Sequence, residues 1–190
     1  MHRPALEELL TERLRLRRYG RTDEEDAFRL TSDPRVMRYY PAPYDRERVT
    51  RMLDNVLRAY DELGYSVLVV ERRSDGAYLG QIGLLHWDDV DGREDVEVAY
   101  MLAAEAWGNG YATEAARACR DWAFEYLGVD RVVSFIAIAN EPSMRVAERN
   151  GMKRTKRLDK NRLGLPIYVY AIARADWETL DSARKSYETS

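Results

Sequence analysis

The stretch AEAWGNGYATEAA, residues 104–116, decides how the middle of the chain folds. Gly108 and Gly110 follow an alternating run, VEVAYML, that is typical of a strand. Small helix-forming residues come next, so the pattern predicts a strand that turns at the glycines and enters a helix. Glycines permit positive φ and leave their amides bare, so this turn and the helix N-terminus together suit an anion. A plain turn without a ligand is the alternative.

The composition of the chain is that of a globular protein with one core. Its 190 residues suit a single domain, with 45% hydrophobic and 33% charged residues. A net charge of −3 gives no support for binding nucleic acid or a membrane surface. The chain shows no signal peptide and no membrane-spanning run, so we expect a cytoplasmic protein. With Cys119 as the one cysteine and only His2 and His86 as histidines, we expect neither a disulfide nor a metal site.

Hydrophobic periodicity predicts one α/β domain over residues 1–190, with a core of about 12–175 and a short polar helix or tail over 176–190. Its mixed sheet has about seven strands, which we place near 13–19, 65–73, 77–87, 96–102, 131–139, 153–159 and 166–173. Helices are predicted at 46–63, from 111 to about 127, and at 141–149. The proline- and tyrosine-rich stretch 34–44 is expected to be irregular.

Two phosphate-binding motifs fit the glycine stretch poorly. The dinucleotide fingerprint requires a third glycine where Thr113 stands, and its ribose-binding acid should end the next strand, whereas Asp130 precedes that strand. The P-loop requires Gly-Lys-Ser/Thr, which the sequence lacks. A nucleotide-dependent oxidoreductase is therefore disfavoured.

A second polar feature follows the next strand, in the stretch ANEPSMRVAERNGM, residues 139–152. Asn140 and Ser143 bracket a helix start with Pro142 in its first turn, which is the pattern of simple helix capping. Capping alone does not use both polar side chains. Two consecutive strands that each end in a helix N-terminus would frame one cleft.

WGNGYATEAARA, residues 107–118, followed by ANEPSMRVAERNGM resembles the acetyl-coenzyme A binding core of the GNAT-type N-acetyltransferases. The branch that contains RimJ- and RimL-like protein N-terminal acetyltransferases is the most similar, and the resemblance extends from about Glu12 to Ala175. It implies a mostly antiparallel sheet splayed between the fourth and fifth predicted strands to admit coenzyme A. Two residues depart from the family pattern: Trp107 stands where Arg or Gln is common, and Met152 where Phe is frequent.

The resemblance implies a place for each part of acetyl-CoA, and it implies no metal. The pyrophosphate would be held by the main chain of the glycine turn, namely Gly108, Asn109, Gly110, Ala112 and Thr113. The pantetheine arm would contact the main chain of Met101 and Ala103 and the side chain of Asn140. A backbone N–H near Met101 or Leu102 would stabilise the oxyanion. Ser143 would protonate the departing thiolate, or else only saturate the helix end.

Glu97 is the best candidate for a general base, because strand alternation places it on one face with Ala99 and Met101. A carboxylate on an otherwise apolar face has a raised pKa, which suits a base. A solvent-facing acid paired with an arginine is the alternative interpretation. His86, at the end of the preceding strand, is the second candidate for the base or for acceptor contact.

The acceptor is predicted to be a primary amine, either a protein N-terminus or a small cationic amine. An acidic loop would favour cations if it borders the acceptor cleft, and a solvated loop is the alternative; its acids are Asp88, Asp89, Asp91, Glu94, Asp95 and Glu97. By the resemblance, Tyr39, Tyr40 and Tyr44 would lie where the family binds acceptors, and anchoring of their loop is the alternative. A homodimer is an open possibility, because dimers are common in the family. A catalytically silent acyl-CoA-binding protein is the alternative function.

Overall fold

The structure is a computed structural model that describes residues 5–90, 92–161 and 163–188; His2 and Asp91 lie outside the described residues. Eight strands form one sheet, in the order β1-β2-β3-β4-β5-β6-β8-β7. They are β1 (Glu8–Leu10), β2 (Leu14–Arg18), β3 (Val67–Arg72), β4 (Tyr78–Trp87), β5 (Asp95–Leu102), β6 (Arg131–Ala137), β7 (Lys153–Leu158) and β8 (Ile167–Ala173). Neighbouring strands are antiparallel except β5 and β6, which run parallel.

Six α-helices connect and flank these strands. They are α1 (Glu24–Ser32), α2 (Pro34–Met37), α3 (Arg46–Leu63), α4 (Tyr111–Trp122), α5 (Glu141–Arg149) and α6 (Arg174–Glu188). A π-helical segment, Ala123–Leu127, extends α4. None of the described helices is both long enough and apolar enough to cross a membrane.

The predicted α/β fold with a mostly antiparallel sheet is confirmed, although the sheet has eight strands rather than about seven. The additional strand is β1, which pairs with β2 through Leu9↔Leu16. Its three residues are too few to show a period of two in the sequence. The stretch 34–44 was expected to be irregular, but it begins with the one-turn helix α2, because the Asp33 side chain accepts a hydrogen bond from the Arg35 amide.

Helix α4 lies against β4 and β5 because the face it turns inward is made of small residues. Ala115, Ala116 and Cys119 on this face are fully or almost fully buried, and their short side chains permit a close approach to the sheet. A 3-10 turn, Ala104–Ala106, and then the glycine turn connect the end of β5 to α4. This packing therefore fixes where the N-terminus of α4 lies relative to the sheet.

Strands β5 and β6 separate after a short paired segment. The β4–β5 pairing extends from Gly80↔Leu102 to Trp87↔Asp95, whereas β5 and β6 pair only at Val96↔Val132 and Glu97↔Val133. The carboxyl-terminal part of β5 thus has a strand on one side and a gap on the other. The expected splay lies here, since β5 and β6 are the fourth and fifth strands predicted from the sequence.

Candidate active site

The glycine turn presents a group of unpaired main-chain amides. Gly108 and Gly110 have φ values of +79° and +80°, and a Cβ added at Gly108 would meet no atom within 4 Å. Among the described residues, no acceptor is found for the amides of residues 108 to 113, which include the first turn of α4. Bare N–H groups at a helix N-terminus, with open space in front of them, form an anion-binding arrangement.

Side chains replace main-chain pairing at the point where β5 and β6 separate. The hydroxyl of Ser134 donates to the carbonyl oxygen of Val98 at 2.7 Å. The amide of Phe135 donates to Oε1 of Glu97 at 3.2 Å, in place of a β5 carbonyl. The Glu97 carboxylate therefore occupies the start of the gap between the two strands.

Glu97 is a buried carboxyl group with two donors and no cationic partner among the described residues. Its second oxygen, Oε2, accepts from Nε1 of Trp87 at 2.8 Å, and the residue is only 7% exposed. Burial raises its pKa to about 7, although the hydrogen bonds from Phe135 and Trp87 act in the opposite direction. A carboxyl with this pKa is divided between its acid and base forms near neutral pH.

The main-chain groups of β5 that face the gap belong to even-numbered residues. The amide of Ala103 donates to the Leu79 carbonyl, on the side of β4, at 2.9 Å. Because alternate residues of a strand direct their N–H and C=O groups to the same side, Met101 also faces β4. The main-chain groups of Met101 and Ala103 are therefore directed away from the gap, contrary to the expectation that they contact the pantetheine arm. Tyr100 and Leu102 direct theirs toward the gap, as Val98 does toward Ser134.

Asn140 and Ser143 lie at the start of α5, on the other side of the gap. The amide of Ser143 donates to Oδ1 of Asn140 at 3.2 Å, so Asn140 caps the helix. The hydroxyl of Tyr100 donates to the carbonyl oxygen of Ser143 at 2.7 Å and ties β5 to α5. Sequence reasoning missed Tyr100, because the alternation of β5 placed it with the apolar residues of the opposite face.

A cavity of about 1170 Å³ extends from the gap toward α3. It brings together several of the residues that the sequence singled out, namely Tyr39, Tyr40, His86, Glu97, Met101, Asn140 and Ser143. The other predicted coenzyme-binding residues do not line it and lie at the end of β5, in the glycine turn or in the first turn of α4; they are Leu102, Ala103, Gly108, Asn109, Gly110, Ala112 and Thr113.

The part of the cavity next to Tyr39 and Tyr40 is aromatic, and the cavity lining carries charges of both signs. Burial, with the nearby charges of Tyr44 and Glu97, raises the pKa of the Tyr40 phenol above its ordinary value. The imidazole of His86 lies 3.0 Å from the Asp88 carboxylate. The charged residues that line the cavity are Arg48, Arg51, Asp89, Glu97 and Lys160. The lining is thus not predominantly acidic, because three of these residues are basic.

The arrangement fits coenzyme A in two respects. The bare amides of the glycine turn suit a pyrophosphate, and the edge of β5 that has no partner strand suits an extended arm with amide groups of its own, although the Leu102 carbonyl on this edge already accepts from Nε1 of Trp107 at 2.9 Å. The described part of the chain shows no group of three or more His, Cys, Asp or Glu side chains placed to hold a metal ion. Arg13, which sequence reasoning missed, contacts the back of the turn: its guanidinium donates to the Asn109 carbonyl at 3.0 Å.

Comparison with known proteins agrees with this geometry. The model of the acetyltransferase (GNAT) domain matches residues 13–153. The uncharacterized protein YkkB of Bacillus subtilis is 36% identical over 163 residues, which is 85% of this chain and 93% of YkkB. The crystal structure of an acetyltransferase from Agrobacterium tumefaciens is 31% identical, with a TM-score of 0.75, and the match covers 87% of this chain and 93% of that one.

A more distant structure shares the fold. Spermidine N-acetyltransferase from Vibrio cholerae, in complex with CoA and spermine, is 20% identical with a TM-score of 0.71, and the match covers 88% of this chain and 99% of that one. The family match covers most of the chain, and YkkB is similar over nearly its whole length. The protein is therefore an acyltransferase and belongs to the GNAT family of N-acetyltransferases.

Proposed function

We propose that this enzyme transfers the acetyl group of acetyl-CoA directly to a primary amine while both substrates are bound. The observation that carries the proposal is that Glu97, the α5 residues Asn140 and Ser143 and the aromatic residues next to α3 line the same cavity. The glycine turn and the edge of β5 lead to this cavity from the coenzyme side. The donor and the acceptor would therefore meet beside the Glu97 carboxylate.

Each proposed role follows from what the side chain or amide can reach. Glu97 in its ionised form accepts the proton that the amine loses as the C–N bond forms. The Tyr100 amide, which faces the gap and belongs to a residue that lines the cavity, stabilises negative charge on the thioester oxygen. Ser143 donates a proton to sulfur as the C–S bond breaks, and it regains a proton from solvent. The products are an acetylated amine and a free thiol.

The properties of the base favour an α-amine as the acceptor. Deprotonating an α-amine of pKa near 8 at pH 7 costs roughly 1.4 kcal/mol, against roughly 4.6 kcal/mol for a lysine amine near 10.4. A carboxylate with a pKa of about 7 is a weak base, so it suits the easier deprotonation. The amino terminus of a peptide is therefore the acceptor we favour.

One observation favours a small polyamine as the second candidate. The exposed acids Asp88, Asp89 and Glu94 lie on the loop next to His86, and they would attract a cation. The basic residues Arg48 and Lys160 in the cavity lining would oppose a second positive charge on the acceptor.

Release of free thiol from acetyl-CoA, measured with short peptides, lysine and spermidine, tests the proposal. We expect turnover with peptide α-amines and a loss of about 100-fold in kcat for Glu97→Gln. Glu62→Gln, an exposed acid on α3, serves as the matched control and should keep wild-type turnover. Wild-type rates in Glu97→Gln across the pH range would exclude Glu97 as the base. CoA binding without turnover of any amine would instead favour a catalytically silent binding protein.

A further inference from the structure

The turn between β1 and β2 contacts the glycine turn and the start of α4 through a network of hydrogen bonds and an ion pair. The guanidinium of Arg13 donates to the carbonyl oxygen of Asn109 at 3.0 Å and pairs with the Glu114 carboxylate at 2.6 Å. The same carboxylate accepts from the Arg13 amide at 2.9 Å and from the Thr11 hydroxyl at 2.6 Å. Arg13 also lies over the ring of Tyr111, 4.8 Å from its centre. A distant segment of sequence is thus fixed to both sides of the turn.

The contact with Asn109 determines which way the next amide points. The Asn109 carbonyl and the Gly110 N–H belong to one planar trans peptide, so they point in opposite directions. Arg13 holds the carbonyl on the β2 side, and the Gly110 N–H must then face the opposite side of the turn. That amide has no acceptor among the described residues.

The conformational freedom of Gly110 makes the contact between Arg13 and Asn109 necessary. Gly110 has a φ of +80° and no side chain, so the peptide before it can rotate unless something holds it. A Cβ at Gly110 would lie 3.5 Å from the Arg13 guanidinium, which shows how closely the arginine approaches the turn.

Glu114 has a second function in this network. A carboxylate in the first turn of α4 would repel an anion bound at the helix N-terminus, and its pairing with Arg13 compensates that charge. Burial opposes its ionisation, but the hydrogen bonds from Thr11 and Arg13 keep the pKa of Glu114 below its ordinary value. The Glu114 carboxylate is therefore charged at neutral pH, and Arg13 is needed to compensate that charge next to a bound anion.

We infer that Arg13 is a positioning residue for the pyrophosphate of acetyl-CoA: with Glu114 it orients the Gly110 amide and does not itself touch the reacting groups. This inference rests on the proposed use of acetyl-CoA. It assigns a role in donor binding to the β1–β2 turn, about 95 residues before the glycine turn in sequence. The role predicts an effect on donors that carry a pyrophosphate and none on donors that lack it.

The test compares two donors and two matched substitutions. Arg13→Gln should weaken CoA binding, measured by calorimetry, about tenfold, since it removes a charge-assisted hydrogen bond. It should raise the KM for acetyl-CoA by the same factor and leave kcat within twofold of the wild-type value. The KM for S-acetylpantetheine, which lacks the pyrophosphate, should also stay within twofold of the wild-type value. Arg15→Gln is the control, because Arg15, two residues further on in β2, pairs with Glu8 and Glu71 and does not contact the turn.

Conservative and double variants separate positioning from general stability. Arg13→Lys should recover part of the CoA affinity, because an ammonium reaches one of the two partners but lacks the bidentate geometry. Arg13→Gln combined with Glu114→Gln should bind CoA no more weakly than Arg13→Gln alone, because the two residues act as a unit. Additive losses would overturn the inference, as would equal losses with S-acetylpantetheine.

The outcome remains distinguishable from a failure of the proposed function. CoA binding by calorimetry requires no turnover, so Arg13→Gln decides the inference even if no amine is acetylated. An affinity in Arg13→Gln equal to that of Arg15→Gln would overturn the inference alone and leave the acetyltransferase proposal intact. Melting temperatures of both variants within about 3 °C of each other would confirm that the comparison is between folded proteins.

Discussion

The indole nitrogen of Trp87 donates a 2.8 Å hydrogen bond to the carboxylate of Glu97 at the point where β5 and β6 separate. The amide of Phe135 binds the other oxygen of the same carboxylate. One buried side chain thus links β4 to β6 by two hydrogen bonds and also supplies the proposed base. Its raised pKa connects the stability of the fold with the chemistry of the site.

Glu97→Gln should change how stability depends on pH. Burial raises the Glu97 pKa from 4.5 to about 7, so the folded state favours the protonated form. The stability that this protonation provides is present in full below pH 4.5 and is lost as the pH rises to about 7, a change of about 3 kcal/mol. Between pH 4.5 and pH 8, the variant should therefore gain up to about 3 kcal/mol in unfolding free energy relative to wild type. Urea denaturation at several pH values measures this difference. Curves of unfolding free energy against pH that run parallel for variant and wild type would contradict it.

Trp87→Phe should shift the pH dependence of catalysis upward. The indole N–H lowers the pKa of Glu97, and phenylalanine retains an aromatic ring for the edge contact with Phe135 but has no donor. The acid limb of kcat against pH should move up by about half a unit to one unit. Acetyl transfer measured from pH 5.5 to pH 9 checks this prediction. An unchanged limb would show that the rate does not report the ionisation of Glu97.

Gly108→Ala should combine a backbone cost with a loss of donor binding. Alanine at a φ of +79° costs about 1–2 kcal/mol of stability, and its methyl group would project into open space in front of the amides. Gly128→Ala is the matched control, with a φ of +68° and open space at its Cβ, but away from the turn. Both variants should lose similar stability in thermal denaturation. Only Gly108→Ala should raise the KM for acetyl-CoA, by about tenfold or more, and equal KM values would refute the proposed binding of the pyrophosphate by the glycine turn.

Ser143→Ala should lower kcat about tenfold without destabilising the protein. The cap of α5 uses the Asn140 side chain and the Ser143 main chain, so the hydroxyl of Ser143 is not needed for it. Asn140→Ala removes the cap and should cost about 1 kcal/mol of stability. Steady-state kinetics and denaturation of both variants separate the two roles. A stability loss in Ser143→Ala like that of Asn140→Ala, with kcat unchanged, would leave the hydroxyl a structural role only.

The sequence by itself determined the order of the main elements and the local structure at the glycine turn and at the start of α5. Alternation identified β5, small residues at helical spacing identified the buried face of α4, and Asn140 was correctly placed at the start of α5. These features depend on residues close together in the chain. Local chemistry therefore predicts them without knowledge of the packing.

The tertiary structure alone decided how distant segments meet. Burial among distant segments raises the pKa of Glu97, against the hydrogen bonds from Trp87 and Phe135 on two other strands, and the turn before α4 is held by Arg13. The direction of each β5 amide depends on its pairing with β4, which assigned the gap to Tyr100 and Leu102. Burial, ion pairing and strand register arise only when the chain is packed. No pattern of neighbouring residues records them.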